Sequence, residues 1–492
     1  MKKIKITLFA LLTLTMINCS DDFLDKVQPD TINTGNYPKT AEELITMVNG
    51  AYQPLQWPKL YNMRMWTTDI FAGNSIVGAG GGDDGIETTQ LSNFVTSTDN
   101  QGVLDLWRGP WPGILSSNIV IKTAPTLNID DAVKNRSLGE AYFLRSHYYF
   151  VLVRFFGDVP IVTEPQDVNG DLYPARSPKA DVYNLIISDL EKVIQLLPTK
   201  QTYGDADKGR ASKGAAIGQL AKVYLTLGNW QKVVELTTQL EGMGYSLNAD
   251  YSNNFNVNTE NSVESLFEVQ YASDGNYDFW GNQNQASWAS PFMGPRGSNF
   301  VGGGGYGWNQ PTQEFVDSYE AGDNRKEKSI FYEGCPQYDG KDYKASYSLT
   351  GYNVRKFLVP LSAFPSYNNS PLNFPVMRYS EVLLMKAEAL NELGQTAQAA
   401  VPLNLVRARA GLSPVSGLSQ TAFRDKVLHE RRIELAFEGQ RWFDLVRVNN
   451  GQYGLNFLHS IGKSNASNKH LLLPIPQIER DRNPNLTQNP GY

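Results

Sequence analysis

From Arg378 to Val448 apolar positions recur at helical spacing and predict helix, turn, helix, loop, helix. Leu383, Ala387 and Leu390 make one stripe on the first of these; Val382, Ala389 and Leu393 make a second. Ser380 is its expected N-cap and Gly394 its stop; Thr396 opens the next helix, through Leu403, Val406 and Ala410 to Gly411. A helix with two apolar stripes must be covered on both sides, as in a stack of helical hairpins. The third helix, expected over Ala422 to Glu438, sets Phe423, Val427, Ile433 and Phe437 on one side, with Glu430 and Glu434 in the middle of it. Carboxylates on an apolar face need partners. Arg424, Arg431, Arg432, Arg441 and Arg447 lie nearby, with Arg407 and Arg409 on the preceding helix. Glu430, Arg431, Glu434, Arg441 and Asp444 are therefore expected to form a structural ion-pair network, with Asp444 on a helix restarted after Gly439.

Upstream, Thr40 and Glu43 form a capping box for a helix through Leu44, Val48 and Tyr52, closed by Pro54. Helical spacing returns at 138–156, at 178–197 after the Ser177-Pro178 start, and at 209–236. In the last of these Leu220, Ala221, Tyr224, Gly228 and Trp230 fall at tetratricopeptide-like offsets. The predicted fold is mainly α: a tetratricopeptide-like hairpin scaffold interrupted by a large loop-rich lobe. The expected divisions are 1–18, 19–40 (a polar tether), 41–113 (a helix, then glycine-rich surface loops), 114–242 (repeats 1–2), 243–378 (the inserted lobe), 379–448 (repeats 3–4) and 449–492. Pro474, Pro476, Pro484 and Pro490 predict an extended tail without regular helix.

The inserted lobe has the most biased chemistry. Between Tyr271 and Gln310 lie Tyr277, Trp280, Trp288 and Trp308 among many amides, including Asn282 and Asn284, with few charges. Indole faces stack on the C–H faces of sugar rings, and amides suit hydroxyls as donors and acceptors. These six residues, with Trp66 from the N-terminal loops, are the candidate glycan-binding set. For any one of Trp280, Trp288 and Trp308 a place in the lobe's core is an equal alternative; at least one is expected to face ligand. Trp107 is expected in the core.

Composition adds boundaries. The net charge of −6 argues against nucleic acid, and the few basic residues in the lobe favour a neutral glycan. Met1 to Asn18 has a basic start and an apolar run from Ile6 to Ile17, too short to span a bilayer and matching a secretory signal. It ends at Cys19, the expected lipidation site, and removal of Lys2, Lys3 and Lys5 takes the charge from −6 to −9. With Cys19 acylated, Cys335 has no intramolecular partner. The four histidines make no metal-binding spacing, and neither glycine run (Gly80, Gly82, Gly85; Gly302, Gly304, Gly307) follows a strand and opens a helix, so no metal or cofactor is expected. Glu430 and Glu434 could be offered as a glycosidase pair, but adjacent arginines spoil a general acid.

The segments RYSEVLLMKAEALNELG, LNLVRARAGL and HERRIELAFEGQRWFDLVR resemble the hallmark block of the SusD/RagB family, and DDFLDKVQPD, LWRGPWPGILSSNIVI and HLLLPIPQIERDRNPNLTQNPGY resemble its start, first repeat and ending. The resemblance implies a non-catalytic nutrient-binding lipoprotein of the outer membrane, surface-exposed and lipid-anchored. It also implies service as a lid on a SusC-like TonB-dependent transporter that takes up oligo- or polysaccharide. An oligopeptide ligand, as in some relatives, is the alternative; a surface glycosidase using Glu430/Glu434 is the remaining one.

Overall fold

The computed structural model describes residues 37–79, 84–166, 170–273, 285–364 and 369–492. The signal segment, Cys19, Tyr277, Trp280, Asn282 and Asn284 lie outside these.

The scaffold is a run of antiparallel helices. Helix α1 (Ala41–Tyr52) starts in the Thr40–Glu43 capping box. It is followed by α2 (Gln101–Arg108), α3 (Trp111–Thr123), α4 (Asp131–Phe156), α5 (Lys179–Leu196), α6 (Lys213–Leu227) and α7 (Trp230–Glu241). After the inserted lobe come α8 (Tyr379–Glu392), α9 (Thr396–Arg409), α10 (Gln420–Glu434), α11 (Arg441–Arg447) and α12 (Gln452–Ser460). Each of α3 to α7 packs on the next, α7 packs on α8, and α8 is covered by α9 and α10 as well. The stack is continuous in space although residues 242–378 interrupt it in sequence. Both stripes of α8 are buried except at Leu393, which is exposed at the helix's C-terminal end.

Local details depart from the sequence pattern. Arg378, not Ser380, is the N-cap of α8; Ser380 lies inside the helix and accepts a hydrogen bond from Arg378 at 2.7 Å. Helix α10 stops at Glu434, before Gly439, because Phe437 turns left-handed (φ +64°) and its N–H, with that of Gly439, donates to the buried Asp69 carboxylate. At Gly439 (φ +71°) a Cβ would lie 2.5 Å from the Met65 carbonyl, so only glycine fits. The tail is not wholly extended: α13 (Gln477–Arg482) forms between Pro476 and Pro484, and ties back through Arg108 to Glu479. Nor is 55–112 surface throughout, since Tyr61, Met63, Met65, Trp66 and Phe71 are core.

Short antiparallel ladders frame the lobe. Strand β1 (Ser75–Ile76) pairs with β3 (Gln310–Pro311), β2 (Ser265–Val269) with β6 (Phe374–Arg378), and β4 (Ile330–Phe331) with β5 (Asn353–Val354). The β2–β6 pair closes the neck of the insertion, setting Ser265 opposite Arg378 immediately before α8.

A buried charge network fastens this neck to the repeats. Arg378 reaches Glu264 (2.7 Å), Glu434 (2.9 Å) and Glu438 (2.7 Å). Arg325 reaches Glu430 (2.6 Å) and Glu434 (3.0 Å), Arg407 binds Glu430, Arg409 binds Glu264 and Glu434, and Lys356 binds Glu438. Burial alone would raise the Glu434 carboxyl; Arg409, Arg378 and Arg325 outweigh it and hold it well below the usual carboxylate range. Arg431 pairs with Asp444 and Glu381. Arg441 was expected to meet a carboxylate and instead lays its guanidinium over the rings of Tyr453 and Phe457, at 5.4 and 4.8 Å.

His147 lies inside the stack, its ring nitrogens bonded to Tyr61 (2.9 Å) and Gln219 (3.0 Å). Burial, helped by Arg154 and Lys222, pulls its pKa from 6.5 to about 4. A depressed histidine favours the fold above its unfolded pKa and loses that contribution as pH falls through the folded value. Between pH 6.5 and 4 the wild type is expected to lose about 3 kcal/mol relative to His147→Gln, each followed by denaturant unfolding. Parallel pH profiles for the two proteins would contradict this.

Candidate functional site

An open cleft of about 630 Å³ lies where the N-terminal loops meet the inserted lobe. One wall is aromatic: Phe292, Tyr306 and Trp308. They are brought together because 291–294 and 306–308 run side by side, with Tyr306 N–H donating to Pro291 O (2.9 Å), Gly307 N–H to Gly294 O (2.8 Å) and Trp308 N–H to Phe292 O (2.8 Å). The β1–β3 pairing then holds this hairpin against the segment 75–78. Gly85 closes on the indole from the other side: with φ +67°, a Cβ there would lie 2.4 Å from the Trp308 ring. Any side chain would collide with the indole.

The aromatic cluster is layered. Trp288 stacks on Phe292 (5.1 Å, 6° between planes), and Trp66 meets Phe292 and Trp308 edge-on, both at 6.3 Å. Trp66 and Trp288 are fully buried behind the wall, so the expectation that they meet ligand is corrected: each presents its faces to other rings. Trp308 is 4% exposed, with its accessible part in the cleft, and the partly buried Tyr306 stands at the front. A large indole stays buried here because packing its faces against neighbouring rings stabilises more than exposing them.

The facing wall is polar, with Arg64, Glu87 and Asp105 joined to one another and Lys59 also in the lining. Arg64 donates to Asp105 through Nε (2.9 Å) and Nη2 (2.7 Å), and to Glu87 through Nη1 (2.8 Å). Gln101 donates to the other oxygen of Asp105 at 2.8 Å, and Asp84 pairs with Arg296 at 3.6 Å across the mouth. Both inner carboxylates are thus engaged by one guanidinium. The cleft offers apolar ring surface and a fringe of hydrogen-bonding groups, which suits a neutral hydroxylated ligand. Sequence reasoning missed Arg64, Glu87, Asp105, Phe292 and Tyr306 as site residues. The signal available for the last two was their place in the same aromatic window as Trp308.

Other possibilities fit less well. Glu430 and Glu434 are inaccessible inside the charge network, so a substrate has no approach to them. Among the described residues no group of histidine, cysteine or acidic side chains could hold a metal. A second cleft between the end of α1 and β2 is rich in amides, but these largely satisfy one another: Gln56 donates to Gln270 O at 2.8 Å, and Gln270 exchanges hydrogen bonds with Asn261. Tyr277, Trp280, Asn282 and Asn284 sit on a segment whose ends lie side by side, joined by the Ala272 N–H to Gln285 O bond of 2.8 Å.

Residues 263–492 match the sequence profile described as the SusD family, and 22–225 match one described as starch-binding associating with outer membrane. SusD-like protein P2 of Formosa agariphila is 31% identical over the full length of both chains. A SusD-like protein of Bacteroides ovatus is 26% identical across 90% of this chain and 82% of its own. Among solved structures, a laminarin-binding SusD-like protein superposes with a TM-score of 0.79 at 27% identity, covering 92% of this chain and all of the other. Surface glycan-binding protein A of Bacteroides thetaiotaomicron, in complex with laminarihexaose, gives 0.78 at 25% identity with the same coverage.

Proposed function

The chain belongs to the SusD family, and from that premise we propose that it is a non-catalytic lipoprotein of the outer-membrane surface that binds a neutral oligo- or polysaccharide. One observation carries the reading: the cleft sets the Trp308–Tyr306–Phe292 wall opposite a polar wall in which one guanidinium, Arg64, bonds both Glu87 and Asp105. A sugar ring has an apolar face and a polar rim, and the two walls match them. Each stacking contact contributes about 0.5–1.5 kcal/mol beyond area burial, so capture is weak per site and suited to a polymer that repeats its epitope. The Tyr277, Trp280, Asn282 and Asn284 segment is proposed as a further contact of the same lobe.

Among the described residues no helix is long and apolar enough to cross a membrane. Attachment is proposed through lipid on Cys19, and delivery of the glycan to a SusC-like TonB-dependent transporter that the protein covers as a lid. Similarity to laminarin- and laminarihexaose-binding proteins makes a neutral glucan the first probe.

The test is affinity electrophoresis in gels cast with laminarin, starch, galactomannan or polygalacturonate, with calorimetric titration of mixed oligopeptides beside it. Retardation by at least one neutral polysaccharide, with the polysaccharide recovered uncut, is expected. Binding of peptides or polygalacturonate alone, or release of shorter sugars, would overturn the reading.

A further inference from the structure

A further cleft, also of about 630 Å³, opens on the scaffold, away from the inserted lobe. It lies between the α6–α7 turn and the corner joining α11 to α12, and shares no lining residue with the first. We propose that it is a second glycan site, taking a neutral, hydroxyl-rich oligosaccharide.

Two partly buried aromatic rings line it, Trp230 from the first turn of α7 and Tyr453 from α12. Between them the chain makes an unusual corner, with Asn449 and Asn450 both left-handed at φ +49° and +51°. Successive non-glycine residues seldom adopt this conformation, and asparagine tolerates it best. The corner keeps both amides exposed at the rim of the cleft.

The inner surface excludes an ionic ligand. Arg447 forks onto both oxygens of Glu388, at 2.6 and 2.7 Å, and Arg424 forks onto both oxygens of Glu392, at 2.5 and 2.6 Å. Arg447 also binds Asp444 at 2.7 Å. Each guanidinium is matched to a carboxylate, so no uncompensated charge remains to attract an anion or a cation. Aromatic surface beside hydrogen-bonding and ion-paired groups is a combination that the first cleft shares. Two such sites on one rigid scaffold raise affinity for a long chain above that for a short one, through effective concentration. The proposal rests on the reading of this protein as a glycan binder, but none of its residues belongs to the lobe that carries that reading.

The test follows indole N–H signals of uniformly ¹⁵N-labelled protein, with Trp230 and Trp308 assigned by Trp230→Phe and Trp308→Phe. Laminari-, malto-, cello-, xylo- and mannohexaose are titrated to millimolar concentration. The Trp230 signal is expected to move with at least one hexaose, and still to move in Tyr306→Ala. Tyr453→Ala and Asn450→Gly are expected to weaken that response by about tenfold, Asn450→Gly with an unchanged melting curve and Tyr453→Ala with a lowered one, because Arg441 rests on that ring. A Trp230 signal that stays fixed with every hexaose overturns the second site, whether or not Trp308 moves. So does a response only to a glucuronate oligomer, titrated alongside the hexaoses. Movement of Trp230 with Trp308 fixed would instead retain the second site and sink the first.

Discussion

Arg378→Met is expected to destabilise the protein by about 3–5 kcal/mol. The arginine is 1% exposed and holds three carboxylates, Glu264, Glu434 and Glu438, from different parts of the chain. Methionine fills much of the volume but leaves those carboxylates in the interior with only Arg325, Arg409 and Lys356 to compensate them. Removing one partner of a buried set costs far more than the set contributes net, because the desolvated charges remain. Guanidinium unfolding followed by circular dichroism reads the effect. Lys386→Ala, which removes an outer pair with Glu241, serves as comparison and is expected to cost at most about 1 kcal/mol. Equal losses in the two variants would show that the network does not fasten the lobe. The pH dependence has a definite sign. Glu434 is held low in the fold, so its contribution is present above the ordinary carboxylate pKa and is lost as pH falls through the much lower folded value. Acid unfolding should therefore begin at higher pH in Arg378→Met than in wild type.

Tyr306→Ala is expected to weaken binding of a neutral hexasaccharide by about tenfold, at a smaller cost in stability than Trp308→Ala. Its ring is partly exposed on the front of the aromatic wall and rests on Phe292 at 4.9 Å, so truncation removes the proposed ligand contact and opens the core less than loss of the indole does. Trp308→Ala should abolish measurable binding, and it should also cost about 3–5 kcal/mol of stability, because the indole is packed against Trp66 and Phe292. The two variants together separate contact from support. Trp288→Ala probes the layer behind: it is expected to lower stability first and binding only as far as Phe292 shifts. Calorimetry and thermal melting on the same preparations check all three. Wild-type affinity in both Tyr306→Ala and Trp308→Ala would place the ligand elsewhere.

The scaffold was legible because helix periodicity is a local property. The Thr40–Glu43 box sets the start of α1, and the two stripes of α8 require cover on two sides, which α7, α9 and α10 supply. The misplaced boundaries have local causes of another kind. Glu438 sits beyond the end of α10 because the Asp69 carboxylate, from hundreds of residues upstream, captures the N–H groups of Phe437 and Gly439. No window of sequence around 437 contains that information.

Long-range pairing limited the reading of the charges as well. Acids at 430 and 434 on an apolar face signalled a need for arginines, and Arg407 and Arg409 were near enough to name. Arg325 lies in the inserted lobe and Arg378 at the end of β6, and only the closed neck brings them to Glu434. The aromatic wall was half visible. An excess of aromatic residues marks the lobe, but composition cannot say which ring stands in front of another. Trp66 and Trp288 became the backing layer, while Tyr306, with the same composition around it, became the front. Arg64, Glu87 and Asp105 meet only when the N-terminal loops fold over α2, so their spacing carries no motif.

The central claim is that the cleft between the N-terminal loops and the inserted lobe holds a sugar. A crystal structure of the protein soaked with the neutral hexasaccharide that binds best tests it most directly. A pyranose ring is expected against Tyr306 and the exposed part of Trp308, with hydroxyls toward Arg64, Gln101 and Glu87. Ordered sugar bound elsewhere, with this cleft holding only solvent, would contradict it.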